Sequence, residues 1–220
     1  MISGFWAFVG AGGACFLVLA LSSADGKTTS VKLILSGMIV NALLTAFSNF
    51  IIAVAGDSDG MMSIKFWTMG SLTRAGWKNI GPIALIVLAA AVFFRTQAQT
   101  LDGLMLGEEA ASTIGINTFR CRLVYLLVLS VLTGALVSVC GTIGFVGLII
   151  PHLVRFFVGH DNRIVLPLSA VSGAAFVVVC DLLSRVLFAP YEVPVGILMA
   201  FLGGPFFIYL IMKNRRGSLD

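Results

Sequence analysis

The sequence predicts an all-α fold, a polytopic bundle of about seven transmembrane helices in a single domain. Of 220 residues, 59% are hydrophobic and only 11% are charged, and the mean hydropathy is +1.05. Soluble domains are roughly 45–50% apolar and about 25% charged. Charges this sparse cannot cover the surface of a water-soluble fold, so the lipid bilayer is the expected solvent for most of the chain.

Seven apolar stretches justify the helix count. A helix needs roughly 17–25 apolar residues to cross the hydrocarbon core of a bilayer. Stretches that reach or approach this length cover residues 5–22, 33–55, 79–95, 122–140, 142–158, 164–184 and 194–212. The fourth and fifth stretches are separated only by Gly141, so the boundary between them is the least sharply defined.

The positively charged residues predict the orientation, because Lys and Arg concentrate on the cytoplasmic side of membrane helices. If the N-terminus lies outside, ten of the fourteen fall in cytoplasmic segments and four fall outside. The ten are Lys27, Lys32, Arg95, Arg120, Arg122, Arg155, Arg163, Lys213, Arg215 and Arg216, and the four are Lys65, Arg74, Lys78 and Arg185. The C-terminus is therefore expected in the cytoplasm. An odd number of spans that starts outside without a signal peptide suggests that earlier spans are missing before Met1.

Two polar connections are long enough to carry structure of their own. Residues 57–78 are expected outside and residues 96–119 in the cytoplasm. In the second connection, apolar residues recur at helical spacing between acidic ones, which predicts one or two short amphipathic helices. A helix lying on the lipid headgroups is the alternative, but that role favours a basic polar face. Asp102, Glu108 and Glu109 make this face acidic, which favours a protein partner.

The sequence contains no enzyme or metal constellation. It has no GxxxxGK[ST] phosphate loop, so the chain is not expected to bind ATP by that motif. His152 and His160 have no clustered carboxylates nearby in the sequence, and the four cysteines lack metal-binding spacing. We therefore expect no catalytic activity, no cofactor and no bound metal. The net charge of +4 lies in short clusters between apolar runs, so we expect no nucleic-acid partner.

Glycine and proline residues lie inside the apolar stretches. Gly141, Gly144 and Gly147 recur in GTIGFVGLIIPH, which continues to Pro151. Small residues let membrane helices approach closely, and proline frees a backbone carbonyl, so this segment predicts a tightly packed, broken helix pair. The GGP segment at 203–205 is expected to interrupt the last stretch in the same way.

The same segment carries a specific resemblance. GTIGFVGLIIPHLVRFFVGHDNRIVLPLSAVSGAAFVVVCDLLSRVLFAPYEVPVGILMAFLGGPFFIYL resembles the C-terminal signature of the FecCD family of permeases, which belong to type II ABC importers for iron-siderophores, haem and vitamin B12. FWTMGSL at 66–72 and LDGLMLGEEAASTIGI at 101–116 agree with it, the latter resembling the cytoplasmic coupling region of the family. Family members have about ten spans, and this sequence resembles spans four to ten. It lacks the earlier NPLADP-like stretch, as a truncated, split or partial sequence would.

The resemblance implies a function and a set of partners. The chain would be one permease domain over residues 1–220, with a coupling segment at about 98–118, in the inner membrane of a bacterial cell. A second permease subunit, identical or different, would complete the pathway. An ABC ATPase subunit would engage the coupling segment, and an extracytoplasmic binding protein would deliver the substrate. An iron-siderophore is the expected substrate, with haem and cobalamin as alternatives.

Three groups of residues are candidates for these roles. A short helix with an apolar stripe can dock into a groove of a partner. Polar side chains in a membrane span normally face a bundle interior or a water-filled cavity. The expected ATPase-coupling residues are Leu104, Leu106, Gly107, Glu108, Ala110, Ile114 and Gly115. The expected pathway residues are Gly37, Asn41 and Ser48, which share one helix face at offsets of four and seven. Their alternative role is hydrogen bonding between helices.

Arg185 is the candidate for docking the binding protein. The resemblance implies that an arginine at this position meets a glutamate of the binding protein. The alternative is an i,i+4 ion pair with Asp181 that only neutralises both charges at the membrane edge.

Two other classes of protein are alternatives to an importer permease. A seven-span receptor or sensor would fit the helix count, but the acidic cytoplasmic helices favour a coupling role. A membrane-embedded enzyme is disfavoured because no carboxylate, His or Cys cluster converges at one depth of the bilayer.

Overall fold

Ten α-helices form the part of the chain that the structure describes. In the computed structural model the described residues are 2–23, 30–55, 58–73, 75–187 and 193–216. They contain no β-strand, which confirms the all-α prediction. Lys27 and Arg74, both counted for the orientation, lie outside them. The helices are α1 (Ile2–Ser22), α2 (Ser30–Ala55), α3 (Ser58–Thr68), α4 (Trp77–Thr96), α5 (Ala98–Met105), α6 (Glu108–Thr113), α7 (Thr118–Cys140), α8 (Val146–Val158), α9 (Asn162–Val186) and α10 (Val195–Arg216).

Each of the seven predicted stretches coincides with one long helix: α1, α2, α4, α7, α8, α9 or α10. The three shorter helices lie in the two polar connections. By length and composition, three segments of the described chain are able to span a bilayer: Val31–Val54, Thr118–Cys140 and Asn162–Val186. The bent pair Ile80–Thr96 and Ala98–Met105 would add a fourth.

Helix α8 is shorter than its predicted stretch. The prediction placed a span at 142–158, but the helix begins at Val146. Its 13 residues rise about 20 Å, less than the roughly 30 Å of hydrocarbon. The first residues of the predicted stretch are not helical, because the chain between α7 and α8 has positive φ values at Gly141 (+68°) and Phe145 (+67°).

The expected interruption of the last span is wrong. Helix α10 is continuous through Gly203, Gly204 and Pro205. A proline removes one donor from a helix, and membrane helices tolerate that loss. Gly203 serves packing instead, because a side chain there would collide with the ring of Phe145.

The helices pack around α7 and α9. Helix α1 lies against α7 and α2, α4 lies against α7 and α9, and α10 lies against α8 and α9. One apolar cluster joins α8 to α9 through Ile150, Val154 and Val165. A second cluster joins α9 to α10, with Cys180, Val195 and Met199 at its centre. Helix α2 packs mainly on α1, and most of its remaining surface is exposed.

Three glycines let backbones touch where the end of α3 meets the α7–α8 turn and the start of α10. We call Thr68–Ser71, Cys140–Thr142 and Gly196 the glycine seam. A Cβ atom on Gly141 would collide with the carbonyl oxygen of Trp67, and one on Gly196 would collide with that of Met69. The N–H of Ser71 donates to the carbonyl of Cys140 over 2.8 Å. The Thr142 hydroxyl donates to the carbonyl of Thr68.

Tight packing is therefore confirmed at Gly141 but not at the glycines that follow it. A Cβ atom on Gly144 or Gly147 would have no neighbour within 4 Å. The three-residue spacing places these residues on one segment, but only the first lies at a backbone contact.

Replacing Gly141 with alanine tests the seam. The new methyl group would collide with the Trp67 carbonyl, and its backbone has a positive φ that costs a non-glycine residue about 1–3 kcal/mol. We expect Gly141→Ala to lower the Tm of the purified protein in detergent by at least about 3 °C. Gly144→Ala, which enters open space, is the matched control and should leave Tm within about 1 °C. Equal Tm values for the two variants would contradict the seam.

Candidate functional site

The predicted coupling segment forms two short helices joined to α4 by a sharp bend. Helices α4 and α5 meet at an angle of 61° across Gln97. The Gln97 side-chain oxygen accepts a hydrogen bond from the Tyr125 hydroxyl of α7 over 3.2 Å. This contact fixes the bend against the bundle. The prediction of one or two short helices in this connection is confirmed.

Glycines separate the short helices. Gly107, at φ +102°, lies between α5 and α6, and Gly115, at φ +83°, follows α6. The Gly107 carbonyl accepts from the N–H of Ala111 over 2.9 Å, so this glycine also begins the hydrogen-bonding pattern of α6. Side chains at such φ values are strained, which explains why glycine occupies both turns.

One face of the segment is buried and another is open. Ala98, Gly103 and Ala111 are buried against the bundle. Leu106 and Ile114 are 69% and 60% exposed, and we call these two side chains the coupling patch. They occupy equivalent positions, Leu106 at the C-cap of α5 and Ile114 at the C-cap of α6. Among the remaining predicted coupling residues, Leu104 and Ala110 are half-buried, Gly107 and Gly115 are exposed, and Glu108 begins α6 with its side chain outside the description.

The predicted pathway residues lie on α2. Ser36 and Val40 are the buried positions of this helix. Gly37 is half-buried beside them, while Asn41 and Ser48 are exposed. All residues at 41–50 are exposed, so exposure does not distinguish the predicted face from the other faces of this part of α2.

Arg185 and Asp181 form an ion pair at the end of α9. Arg185 Nε lies 2.9 Å from Asp181 Oδ2, and Arg185 Nη2 lies 3.4 Å from Asp181 Oδ1. The pair borders a cavity of about 200 Å³ whose lining includes Trp67, Ser71 and Pro194. The Arg185 side chain stays 43% exposed despite the pairing. An exposed ion pair of this kind is worth about 0–1 kcal/mol.

The sequence reasoning missed two features of the site. The first is the glycine seam, which lies beside the cavity and connects α3 to α7 and α10. The second is a hydrogen-bonded cluster of Asp102, Arg155 and Asn162. The three residues are far apart in the sequence, so no local pattern predicts that they meet. Asp102, an acidic residue among the apolar residues of α5, is the one feature of the sequence that points to a partner there. Within the described ranges, no three His, Cys, Asp or Glu side chains are grouped to hold a metal ion.

These features define a multi-pass α-helical membrane protein. Residues 2–213 match the model of the FecCD transport family. The chain belongs to the FecCD transport family.

Relatives with different substrates in their names are similarly close. The chain is 40% identical to the cobalamin import system permease of Halobacterium salinarum, over 97% of this chain and 57% of that protein. It is 40% identical to the iron(3+)-hydroxamate import system permease of Bacillus subtilis, over 96% and 55%. It is 37% identical to the hemin transport system permease of Yersinia pestis, over 95% and 62%. The chain therefore spans little more than half the length of these relatives.

A solved structure has the same fold. The chain superposes with a TM-score of 0.80 on a metal-chelate type ABC transporter in an inward-facing conformation. The match covers 96% of this chain and 74% of that one, at 28% identity.

Proposed function

We propose that this chain forms part of the permease of an ABC importer for an iron chelate, with an iron-siderophore as the substrate. The observation that carries the proposal is the coupling segment, a bent helix pair that exposes apolar side chains beyond the membrane helices. The similarity to an iron(3+)-hydroxamate permease supports a ferric siderophore. Haem and cobalamin are the alternatives, since permeases named for them are about as similar.

The coupling segment would dock an ABC ATPase subunit. The coupling patch offers two apolar side chains to a groove, and Glu109 beside them is exposed and acidic. Gly107 and Gly115 would set the angle at which α6 is presented, and Leu104 and Ala110 would support it from below. Glu108 would add negative charge where α6 begins. An amphipathic helix whose apolar face lies in a hydrophobic groove is a recurring mode of recognition.

Leu106→Asp should weaken the ATPase complex, because it places a charge where an apolar contact is proposed. We expect at least about a tenfold loss of co-purified ATPase, a cost of about 1.4 kcal/mol or more. Thr113→Asp adds the same charge at an exposed polar position of the same segment and is the matched control. Co-purification at normal membrane expression is the measurement. Equal retention of the ATPase by both variants would make the segment a simple connector.

The exposed face of α2 would line the pathway together with a second permease subunit, identical or different. Gly37 has open space beside it, and Asn41 and Ser48, both exposed, would present polar groups to the pathway. In this arrangement the N-terminal end of α1 lies outside and the C-terminus lies in the cytoplasm. The concentration of Lys and Arg supports that orientation.

Single cysteines tested with a membrane-impermeant thiol reagent, in a background without the native cysteines, check orientation and pathway together. A cysteine at Ser63 of α3 should react from outside, and one at Thr113 of α6 should react only after the membrane is opened. Within α2, a cysteine at Asn41 should react at least about tenfold faster than one at Leu43, because thiols react as hydrated thiolates. The reversed pattern for α3 and α6 would refute the orientation, and equal rates at the two α2 positions would refute the pathway face.

Arg185 would dock the extracytoplasmic binding protein. Its guanidinium is exposed at the rim of the cavity beside the glycine seam, where a carboxylate of the partner would reach it. Asp181 would hold the guanidinium in position before the partner arrives. Charges at an interface rim act mainly on association rate and its salt dependence.

Arg185→Glu should therefore slow docking most at low salt, with partial recovery as salt rises, because screening acts over about 8–10 Å at ordinary ionic strength. A Glu→Arg change on the binding protein should restore docking. Asp181→Asn is the comparison, since it removes the ion pair but leaves the guanidinium. Association rates in nanodiscs at two salt concentrations are the measurement. Equal damage from both changes, without rescue by the partner, would reduce Arg185 to an intramolecular role.

A further inference from the structure

Asn162 connects three helices at the end of the bundle that carries the coupling segment. It is the first residue of α9 and is only 3% exposed. Its side-chain amide donates to Asp102 Oδ1 of α5 over 2.7 Å, and its backbone N–H donates to the same oxygen over 3.1 Å. Its side-chain oxygen accepts from Arg155 Nη2 of α8 over 3.0 Å. One buried amide thus has partners on both neighbouring helices.

Met105 strengthens the same junction from α5. It lies one helical turn after Asp102, so both side chains leave the same face of α5. Its sulfur lies 3.1 Å from Arg155 Nη1 and 3.5 Å from Asn162 Nδ2. We call Asp102, Met105, Arg155 and Asn162 the α5 clamp.

The clamp is electrostatically suited to the end of α9. The first N–H groups of a helix lack partners inside that helix and favour negative charge. Two carboxylates reach this end: Asp161, which accepts from the N–H of Arg163 over 2.8 Å, and Asp102 from α5. Asp161 caps its own helix, whereas Asp102 caps α9 from a different helix. Only the contact of Asp102 with Asn162 joins two helices, α5 and α9.

Helix α5 packs more extensively against α9 than against α4, the helix that precedes it. Between α4 and α5 the chain bends by 61°, and α5 then packs mainly against α9. Helix α9 is continuous from Asn162 to Val186, with Pro167 near its start, and the rise from Asn162 to Arg185 is about 35 Å. A displacement of α5 would therefore act directly on the start of a helix that extends to the opposite end of the molecule.

We propose that Asn162 is a positioning residue that makes α5 move as one body with the α8–α9 hairpin, so that force applied to the coupling segment reaches the membrane helices. This role rests on the proposed function, while the clamp itself can be tested without it. Asn162 touches neither substrate nor ATPase in this account. It acts by holding Asp102 and Arg155 in register.

A charge swap separates the clamp from general stability. Asn162→Asp places two carboxylates in contact and should release α5. Combined with Asp102→Asn, it restores the pairing: the amide introduced at position 102 donates to the carboxylate at position 162, which still accepts from Arg155. Asp161→Ala is the control, because it weakens the same helix end without touching α5.

Hydrogen exchange of the full chain in nanodiscs measures the clamp directly. We expect Asn162→Asp to speed amide exchange in α5 by at least about tenfold, and the swapped double variant to return it to within about threefold of the original chain. Asp161→Ala should affect only the first turn of α9. Unchanged exchange in Asn162→Asp, or a double variant as fast as the single one, would overturn the clamp.

The transmission role is tested in the assembled transporter with a ferric hydroxamate as the probe. Asn162→Asp should keep ATP hydrolysis but lose at least about tenfold in substrate moved per ATP, with rescue by the swap and no loss in Asp161→Ala. An unchanged ratio in a variant whose α5 is loosened would overturn transmission. An original chain without ATP-driven uptake would overturn the proposed function, while the exchange result would still decide the clamp.

Discussion

The absence of water from the bilayer core is the constraint on which this structure depends. A backbone N–H or carbonyl in hydrocarbon must find a partner within the protein, and a helix supplies all of them locally. The seven apolar stretches are helical for this reason. Irregular backbone is then restricted to a few positions where other protein groups supply the missing partners. The proposed ATPase-coupling and binding-protein docking roles lie beside these positions.

The glycine seam is one such position. The carbonyl of Cys140, at the end of α7, accepts from the N–H of Ser71, and the Thr142 hydroxyl donates to the carbonyl of Thr68 at the end of α3. Those contacts require backbones to approach more closely than a Cβ atom allows, hence Gly70, Gly141 and Gly196. The proposed docking residue Arg185 lies on the rim of the adjoining cavity, so the seam fixes the surface that it occupies.

At the other end of the bundle the long helix α4 ends, and the chain continues into the short helices α5 and α6. There the coupling patch follows the last turn of each of two short helices, and the backbone N–H groups of its residues donate to carbonyls of that turn. Asp102, which belongs to α5, accepts hydrogen bonds from Asn162 at the start of α9. A single carboxylate thereby links the surface proposed to meet the ATPase with the helix that runs to Arg185.

The sequence predicts the apolar stretches, the short helices and the family resemblance, because each depends on residues that are close together in the chain. Hydropathy located all seven long helices, and apolar residues at helical spacing located α5 and α6. Three-dimensional contacts were not readable. The spacing of Gly141, Gly144 and Gly147 predicted equal packing, but only the residue opposite another backbone is constrained. The GGP segment predicted a break in α10, but its glycine accommodates the Phe145 ring within a continuous helix. The pairing of Asp102 with Asn162 joins positions 60 residues apart, which no periodicity reveals.

ATP-dependent uptake by a permease assembly that contains this chain tests the central claim most directly. Vesicles would carry this assembly with an ABC ATPase and a binding protein, and accumulation of radioactive ferric hydroxamate would be followed with ATP on the ATPase side. The account predicts accumulation only when ATP and every partner are present, and none from this chain alone. Accumulation by the chain alone without ATP, or none from the complete assembly with ferric hydroxamate, haem or cobalamin, would contradict it.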